Sequence, residues 1–186
     1  MISLYYITSN IEKITVANKY LHPLGISVEQ KDLDFDELQS DSIEAIAQHK
    51  AEQAYSKLKH PVLVNDAAWY ISSLNGFPGP FMKQINTWFT EQDILNLMHD
   101  KPNRDVIYKD VFCYMNKDEI KFFIGEVKGK ILKQPQGTGK TSWTLFSFSS
   151  TGKSIAQCWE EGIDPVDDYK IWHEIAHHFK NKNLES

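Results

Sequence analysis

Apolar residues follow two kinds of spacing along this chain, and the places where one gives way to the other carry most of its information. Ile2 to Ile7 is a short apolar run that predicts a strand, and it breaks at Thr8-Ser9-Asn10. Beyond the break Ile11, Ile14, Ala17, Leu21 and Leu24 recur at helical spacing. Ser9 followed three residues later by Glu12 predicts a capping box for that helix. Ile26 to Gln30 predicts a second strand, leading into the acidic loop Asp32-Leu33-Asp34-Phe35-Asp36-Glu37. Asp41 and Glu44 predict another capping box, opening a helix whose apolar stripe is Ile43, Ile46, Ala47, Ala51, Ala54, Tyr55 and Leu58. Pro61 to Val64 predicts a short buried strand that ends at Asn65-Asp66.

The second half reads less regularly. Asn75-Gly76-Phe77-Pro78-Gly79-Pro80 is a rigid, turn-rich loop, and Ile94, Leu95, Leu97 and Met98 suggest a third helix. Arg104 to Met115 and Glu119 to Leu132 predict two strands joined by a hairpin at Asn116-Lys117-Asp118. Trp143 to Phe148 alternates as a strand does, and Asp167-Asp168 predicts the start of a last helix carrying Tyr169, Trp172, Ile175, Ala176 and Phe179. Strands and helices mix early and a hairpin follows, so the expected fold is α/β with a mixed sheet. No repeat, low-complexity tract or linker interrupts it, and residues 1–186 are expected to form one domain.

Composition narrows the function classes. The net charge is −5 with no block of like charge, which argues against a nucleic-acid polymer as partner. An acidic protein that handles an anion needs local lysines or a divalent cation. Cys113 and Cys158 stand far apart in no metal-type spacing and read as reduced, half-buried thiols of a cytoplasmic protein. Residues 1–7 are too short for a signal peptide, and no apolar run reaches membrane-spanning length, so no membrane partner is expected.

Two motifs are loud. Gln134-Pro-Gln-Gly-Thr-Gly-Lys-Thr141 is one glycine short of a P-loop, but a P-loop must deliver its amides into a helix. The β-forming Ser142-Trp143-Thr144-Leu145-Phe146 follows instead, so a glycine-rich turn into a strand is expected. His173-Glu174-Ile175-Ala176-His177 matches the zinc-protease pattern. Only Glu185 is available nearby as a third ligand, so a surface helix bearing histidines is the expected reading.

A quieter constellation fits together better. The Thr8-Ser9-Asn10 turn, with Lys13 one turn into the helix, has the strand–turn–helix form that seats phosphate. Asp66 stands at the end of its strand, Glu37 lies in the acidic loop, and Lys50 and Lys83 adjoin these segments. Carboxylates with several lysines are what a magnesium–triphosphate substrate requires: the carboxylates hold the cation and the lysines neutralise phosphate oxygens.

The order of these segments resembles the inosine triphosphate pyrophosphatase family, the non-canonical purine nucleoside triphosphate pyrophosphatases. Ile7-Thr8-Ser9-Asn10-Ile11-Glu12-Lys13 resembles its Thr/Ser-Gly-Asn-x-x-Lys opening, and Asp36-Glu37-Leu38-Gln39 its Glu-x-Gln segment. Lys50-Ala51 resembles its Lys-Ala helix, Val64-Asn65-Asp66 its strand ending in paired acids, and Gly76-Phe77-Pro78-Gly79 to Lys83 its Pro-Gly loop. Gly125 to Ile131 resembles the strand before its base-recognition loop. The resemblance implies an elongated mixed sheet with flanking helices and two lobes around a central cleft, a homodimer, and magnesium- or manganese-dependent hydrolysis of a nucleoside triphosphate to monophosphate and pyrophosphate. By the same resemblance Thr8, Ser9, Asn10, Lys13, Lys50, Ala67, Lys83, Trp143 and His173 would bind substrate. Glu37 and Asp66 would bind the metal, and Asp66 would act on the attacking water.

The chain departs from that pattern in four places. Ser9 replaces a glycine, and Asn65-Asp66 replaces paired acids. Thr141-Ser142-Trp143-Thr144 keeps only the aromatic of a Phe-Gly-Tyr/Trp-Asp base-recognition stretch. Trp172 and Glu174 flank His173 where serine and arginine would stand. The phosphate half is retained and the base-reading half rewritten, so altered base recognition is expected, with a catalytically weak nucleotide-binding relative as the alternative.

Overall fold

The computed structural model describes residues 2–166 and 170–184. The chain runs β1 (Ile2–Ile7), α1 (Ile11–Leu21), β2 (Ile26–Lys31), α2 (Ile43–Leu58), β3 (Val62–Ile71), β4 (Pro78–Gly79), α3 (Met82–Trp88), α4 (Glu91–Leu97), β5 (Asp105–Met115), β6 (Ile120–Ile131), α5 (Thr141–Leu145), β7 (Phe146–Ser147), α6 (Ile155–Glu160) and α7 (Ile171–Leu184). Among the described residues the strands form one sheet in the order β2-β1-β3-β5-β6-β7, with β4 paired to β3. β1 runs parallel to β2 and β3, while β3–β4 and β6–β7 are antiparallel. The fold is thus mixed α/β with flanking helices.

The chain divides into two compact units, one of residues 1–66, 110–125 and 170–186, the other of residues 67–109 and 126–169. In the first, Leu4, Tyr6, Ala17, Leu21, Ile26, Val62 and Leu63 are fully buried, and Trp172 and Phe179 of α7 are nearly so. Ala47, Ala51 and Ala54 form the buried seam of α2, where small side chains let the helix lie close. The core of the second unit gathers Trp69, Ile71, Ile85, Ile94, Met98, Val106, Ile131, Leu145, Phe146, Phe148 and Ile155. Each fully enclosed Leu or Ile there contributes about 2 kcal/mol relative to exposure.

Several expectations are corrected by tertiary partners. Asn10, not Ser9, caps α1, accepting from Glu12 N at 2.8 Å, and Ser42, not Asp41, caps α2, accepting from Ala45 N at 3.1 Å. Both have the extended backbone that turns a short side chain onto the next amides. α1 stops at Leu21, short of Leu24, because Pro23 turns the chain into a 3-10 segment closed by left-handed Gly25.

β3 does not stop at Val64. It continues to Ile71, so Asn65 and Asp66 lie inside it; the burial of Ala68, Trp69 and Ile71 and the pairing of Trp69 and Tyr70 with β4 outweigh the polar interruption. Of the strand expected from Trp143 to Phe148, residues 143–145 instead belong to α5. There Thr141 Oγ1 donates to Phe89 O at 2.7 Å, Asn86 Oδ1 accepts from Ser142 N at 3.0 Å, and Thr144 Oγ1 donates to Glu91 Oε1 at 3.0 Å. α3 and α6 are too short to show a period. Cys113 and Cys158 are fully buried rather than half-buried. Asp167, Asp168, Tyr169 and Glu185 lie outside the described residues.

Candidate active site

In the first unit the polar groups converge on the middle of β3. Consecutive strand residues point to opposite faces, and here the two take different lysines. Asn65 Oδ1 accepts from Lys13 Nζ at 3.0 Å and from the Tyr6 hydroxyl at 2.8 Å, while Asn65 Nδ2 donates to Asp110 Oδ1 at 3.0 Å. Asp66 forms an ion pair with Lys50 of α2, both side chains about a quarter exposed. Lys13 is supplied by the first turn of α1, Tyr6 by β1 and Asp110 by β5.

The electrostatics follow from burial. Burial pulls the Lys13 ammonium below the ordinary lysine value, with Lys50 adding to the fall and Asp110 and Asp66 opposing it. Burial pushes the Tyr6 hydroxyl far above its usual value, and the charge of Asp110 pushes it further. Tyr6 therefore stays a donor to Asn65. Burial likewise pushes the Cys113 thiol up to about 12, with Glu52 adding to it, so Cys113 is inert packing.

The turn after β1 is held from both sides. Thr8 N donates to Lys31 O at 3.0 Å, and Gln30 Nε2 donates to Thr8 O at 2.9 Å. Asn10 N donates to Thr8 Oγ1 and Glu12 N to Asn10 Oδ1, so these two amides are already engaged by the turn's own side chains. Ser9 and Asn10 are exposed. A phosphate seated there would draw on the rest of the turn, the Thr8 and Ser9 hydroxyls and Lys13.

The other expected residues lie elsewhere. Glu37 is exposed in the loop after β2, which Gln53 and Lys57 tie to α2 through Asp36 and Asp34. His173 is exposed on α7, edge-on to Tyr20 at 5.0 Å. Ala67, Lys83 and Trp143 belong to the second unit. Lys83 is exposed in the first turn of α3, and Trp143 is half-buried on α5 with Lys140 over its ring at 4.7 Å and Trp159 edge-on at 4.9 Å. The structure thus brings Lys13, Lys50 and Asp66 together with Asn65 and does not join Glu37 or His173 to them. Asp110 and Tyr6 were missed by the sequence reading; an acid inside the apolar run Val106 to Tyr114 was the available signal.

Among the described residues neither loud motif forms a site. The first-turn amides of α5 are committed, Ser142 N to Asn86 and Trp143 N and Thr144 N to Lys140 O. His173, Glu174 and His177 are exposed, and His178 meets Glu119 at 3.2 Å. Among the described residues no three His, Cys, Asp or Glu side chains form a group able to hold a metal ion. A hard cation that enters with phosphate oxygens needs only one or two protein carboxylates, and Asp66 is a partly exposed oxygen donor of that kind. The residues present therefore fit a magnesium–phosphate unit and not a zinc cage. No helix among the described residues is long and apolar enough to cross a membrane.

Two lysines and two carboxylates thus gather about β3 within a mixed α/β sheet. The chain belongs to the Ham1 family, whose model matches residues 4–162. It is 38% identical over 133 residues to a dITP/XTP pyrophosphatase of Methanopyrus kandleri, covering 71% of each chain. It is 32% identical over 157 residues to an inosine triphosphate pyrophosphatase of Tuber melanosporum, covering 83% of this chain and 84% of that one. A HAM1 protein of Coxiella burnetii shares its fold, with a TM-score of 0.77, 20% identity and full coverage of both chains.

Proposed function

We propose that this protein is a nucleoside triphosphate pyrophosphohydrolase that releases pyrophosphate from non-canonical purine nucleotides of the dITP/XTP type, with base recognition altered from the family pattern. The observation that carries the reading is the cluster in which Lys13 and Lys50 meet Asn65 and Asp66 within β3. The names of its curated relatives supply the substrate class.

In this reading Lys13 and the Thr8-Ser9-Asn10 turn hold phosphate oxygens. The ion pair with Lys50 fixes the Asp66 carboxylate, which orients a water and accepts its proton as the oxygen attacks the α-phosphorus. The new bond is water oxygen to α-phosphorus; the bond that breaks joins the α-phosphorus to the bridging oxygen, which leaves with pyrophosphate. Asp66, with Glu37 as the second family position, would hold magnesium, or manganese in its place, which when bound would neutralise charge on the leaving group. Lys50 and Lys83 add positive charge for the phosphates, Ala67 lines the strand beside Asp66, Trp143 stacks on the base, and His173 stands at the substrate's edge. The protein would act as a homodimer, on the strength of the family resemblance, and as a single cytoplasmic domain, as its length and its widely spaced cysteines lead one to expect.

The test is a panel of standard and deaminated purine triphosphates with magnesium, assayed for pyrophosphate. Release from dITP or XTP in preference to dATP and dGTP is expected. Nucleotide-dependent thermal stabilisation without release from any of them would overturn the enzymatic reading.

A further inference from the structure

Asn65 is a carboxamide placed where its two ends meet opposite demands. A lysine ammonium has only donors and a carboxylate only acceptors. With Asp110 on one side and Lys13 on the other, a single orientation satisfies both: nitrogen toward Asp110, oxygen toward Lys13 and Tyr6. The flipped carboxamide would set N–H against ammonium and oxygen against carboxylate. Asp110 is also 5% exposed, and a buried carboxylate persists only where donors and cations compensate it. Its charge, with that of Asp66, offsets the burial of Lys13. The cluster therefore balances two lysines against two carboxylates, although only one of those carboxylates stands on β3.

We propose that Asp110 is a positioning residue of this site, clamping the Asn65 carboxamide with its oxygen held toward Lys13 and supplying from β5 the negative charge that position 65 lacks. This deepens the pyrophosphohydrolase reading by naming what keeps Lys13 aimed and charged for phosphate. It also explains how an asparagine stands where the family resemblance leads one to expect an acid: the negative charge comes instead from Asp110 of β5, bonded to the Asn65 carboxamide.

Exchanging the side chains at 65 and 110 tests the role of Asp110. In Asn65→Asp/Asp110→Asn the carboxylate accepts from Lys13, Tyr6 and the new carboxamide, so every hydrogen bond of the trio is restored with the charge on the other strand. Asp110→Asn alone removes the compensating charge and replaces an acceptor-only partner of the Asn65 amide with one that can also donate, and Asn65→Asp alone sets two carboxylates against each other. Two readouts are taken: kcat and KM for the best triphosphate with magnesium, and calorimetric affinity for inorganic tripolyphosphate in EDTA, which needs no turnover. Each single variant is expected to lose about 10- to 100-fold in kcat/KM and to bind tripolyphosphate more weakly. The double variant is expected to return to within about twofold of the parent in both. A folded Asp110→Asn that matches the parent in both readouts overturns the proposal, as does a double variant that does no better than Asp110→Asn or fails to fold. Where Asp110→Asn does not fold, the double variant decides by its tripolyphosphate affinity. A parent that cleaves no triphosphate defeats the functional reading while the tripolyphosphate readout still judges Asp110; a parent that binds no tripolyphosphate defeats the proposal itself.

Discussion

The middle of β3 and the segment 141–144 meet the same family pattern in opposite ways. In β3 one acid is missing, yet the surrounding groups are joined into a single network: Lys13 and Tyr6 on Asn65, Asp110 behind it, Lys50 on Asp66. In 141–144 only the aromatic is kept, and polar groups around it turn to their own unit: Thr141 to Phe89, Ser142 to Asn86, Thr144 to Glu91. A lost charge has been compensated in the first place, whereas in the second the Thr141 and Thr144 hydroxyls and the Ser142 amide are engaged within their own unit. Phosphate chemistry tolerates little rearrangement, because charge must sit within hydrogen-bond reach of the oxygens. Base recognition can change by altering which polar atoms are left unpaired.

Substitutions can break or sharpen that contrast. The largest effect is expected at Asp66: Asp66→Asn should lower pyrophosphate release at least about 100-fold by removing the proton acceptor, and it leaves Lys50 without its carboxylate. Wild-type turnover in this variant would move the chemistry off β3.

Lys13→Met should follow, lowering kcat/KM by roughly 100-fold through the loss of a charged donor. Because burial pulls the Lys13 ammonium below the ordinary lysine value, wild-type tripolyphosphate affinity should fall on the alkaline side earlier than an exposed lysine allows, and the variant should lack that limb. The stability effect has the opposite sense. A lowered folded-state value means the charged form is the less tolerated one, so Lys13 costs stability below its folded pKa, and that cost fades as pH rises toward the ordinary lysine value. Thermal unfolding across alkaline pH, parent against Lys13→Met, reads that difference.

In the second unit the effects should be smaller and of another kind. Trp143→Ala should raise KM about tenfold through loss of stacking, with kcat at saturation retained. Thr144→Val should cost about 1–2 kcal/mol in denaturant unfolding, since its hydroxyl bonds both Glu91 and Thr141 O. Its preference among triphosphates should not change; a changed preference would return Thr144 to base reading. Smallest of all, Ser142→Ala should be neutral or stabilising by up to about 1 kcal/mol, because the Ser142 hydroxyl is buried with no hydrogen-bond partner among the described residues.

How much was legible varied with length and period. β1, α1, β2, α2 and the β5–β6 hairpin were read from pattern because each is long enough to show one. α3 and α6, of seven and six residues, show none. The caps slipped by one residue because Ser9-Asn10 and Asp41-Ser42 each offer two adjacent capping side chains, and backbone angles choose between them. At the site, Lys13, Lys50 and Asp66 were visible as charges in suggestive places. Asp110 was not, since its role depends on which strand lies beside β3, a relation between residues 45 positions apart.

The sequence by itself determined the order of elements, the strand–turn–helix opening, the family and the charged residues from which a phosphate site could be made, because these rest on local spacing and residue chemistry. Only the tertiary structure decided that β3 continues through Asn65 and Asp66, that residues 141–145 coil into a helix, and that a buried aspartate on β5 completes the cluster. Strand pairing and burial are long-range interactions, and where they oppose a local preference they set the outcome.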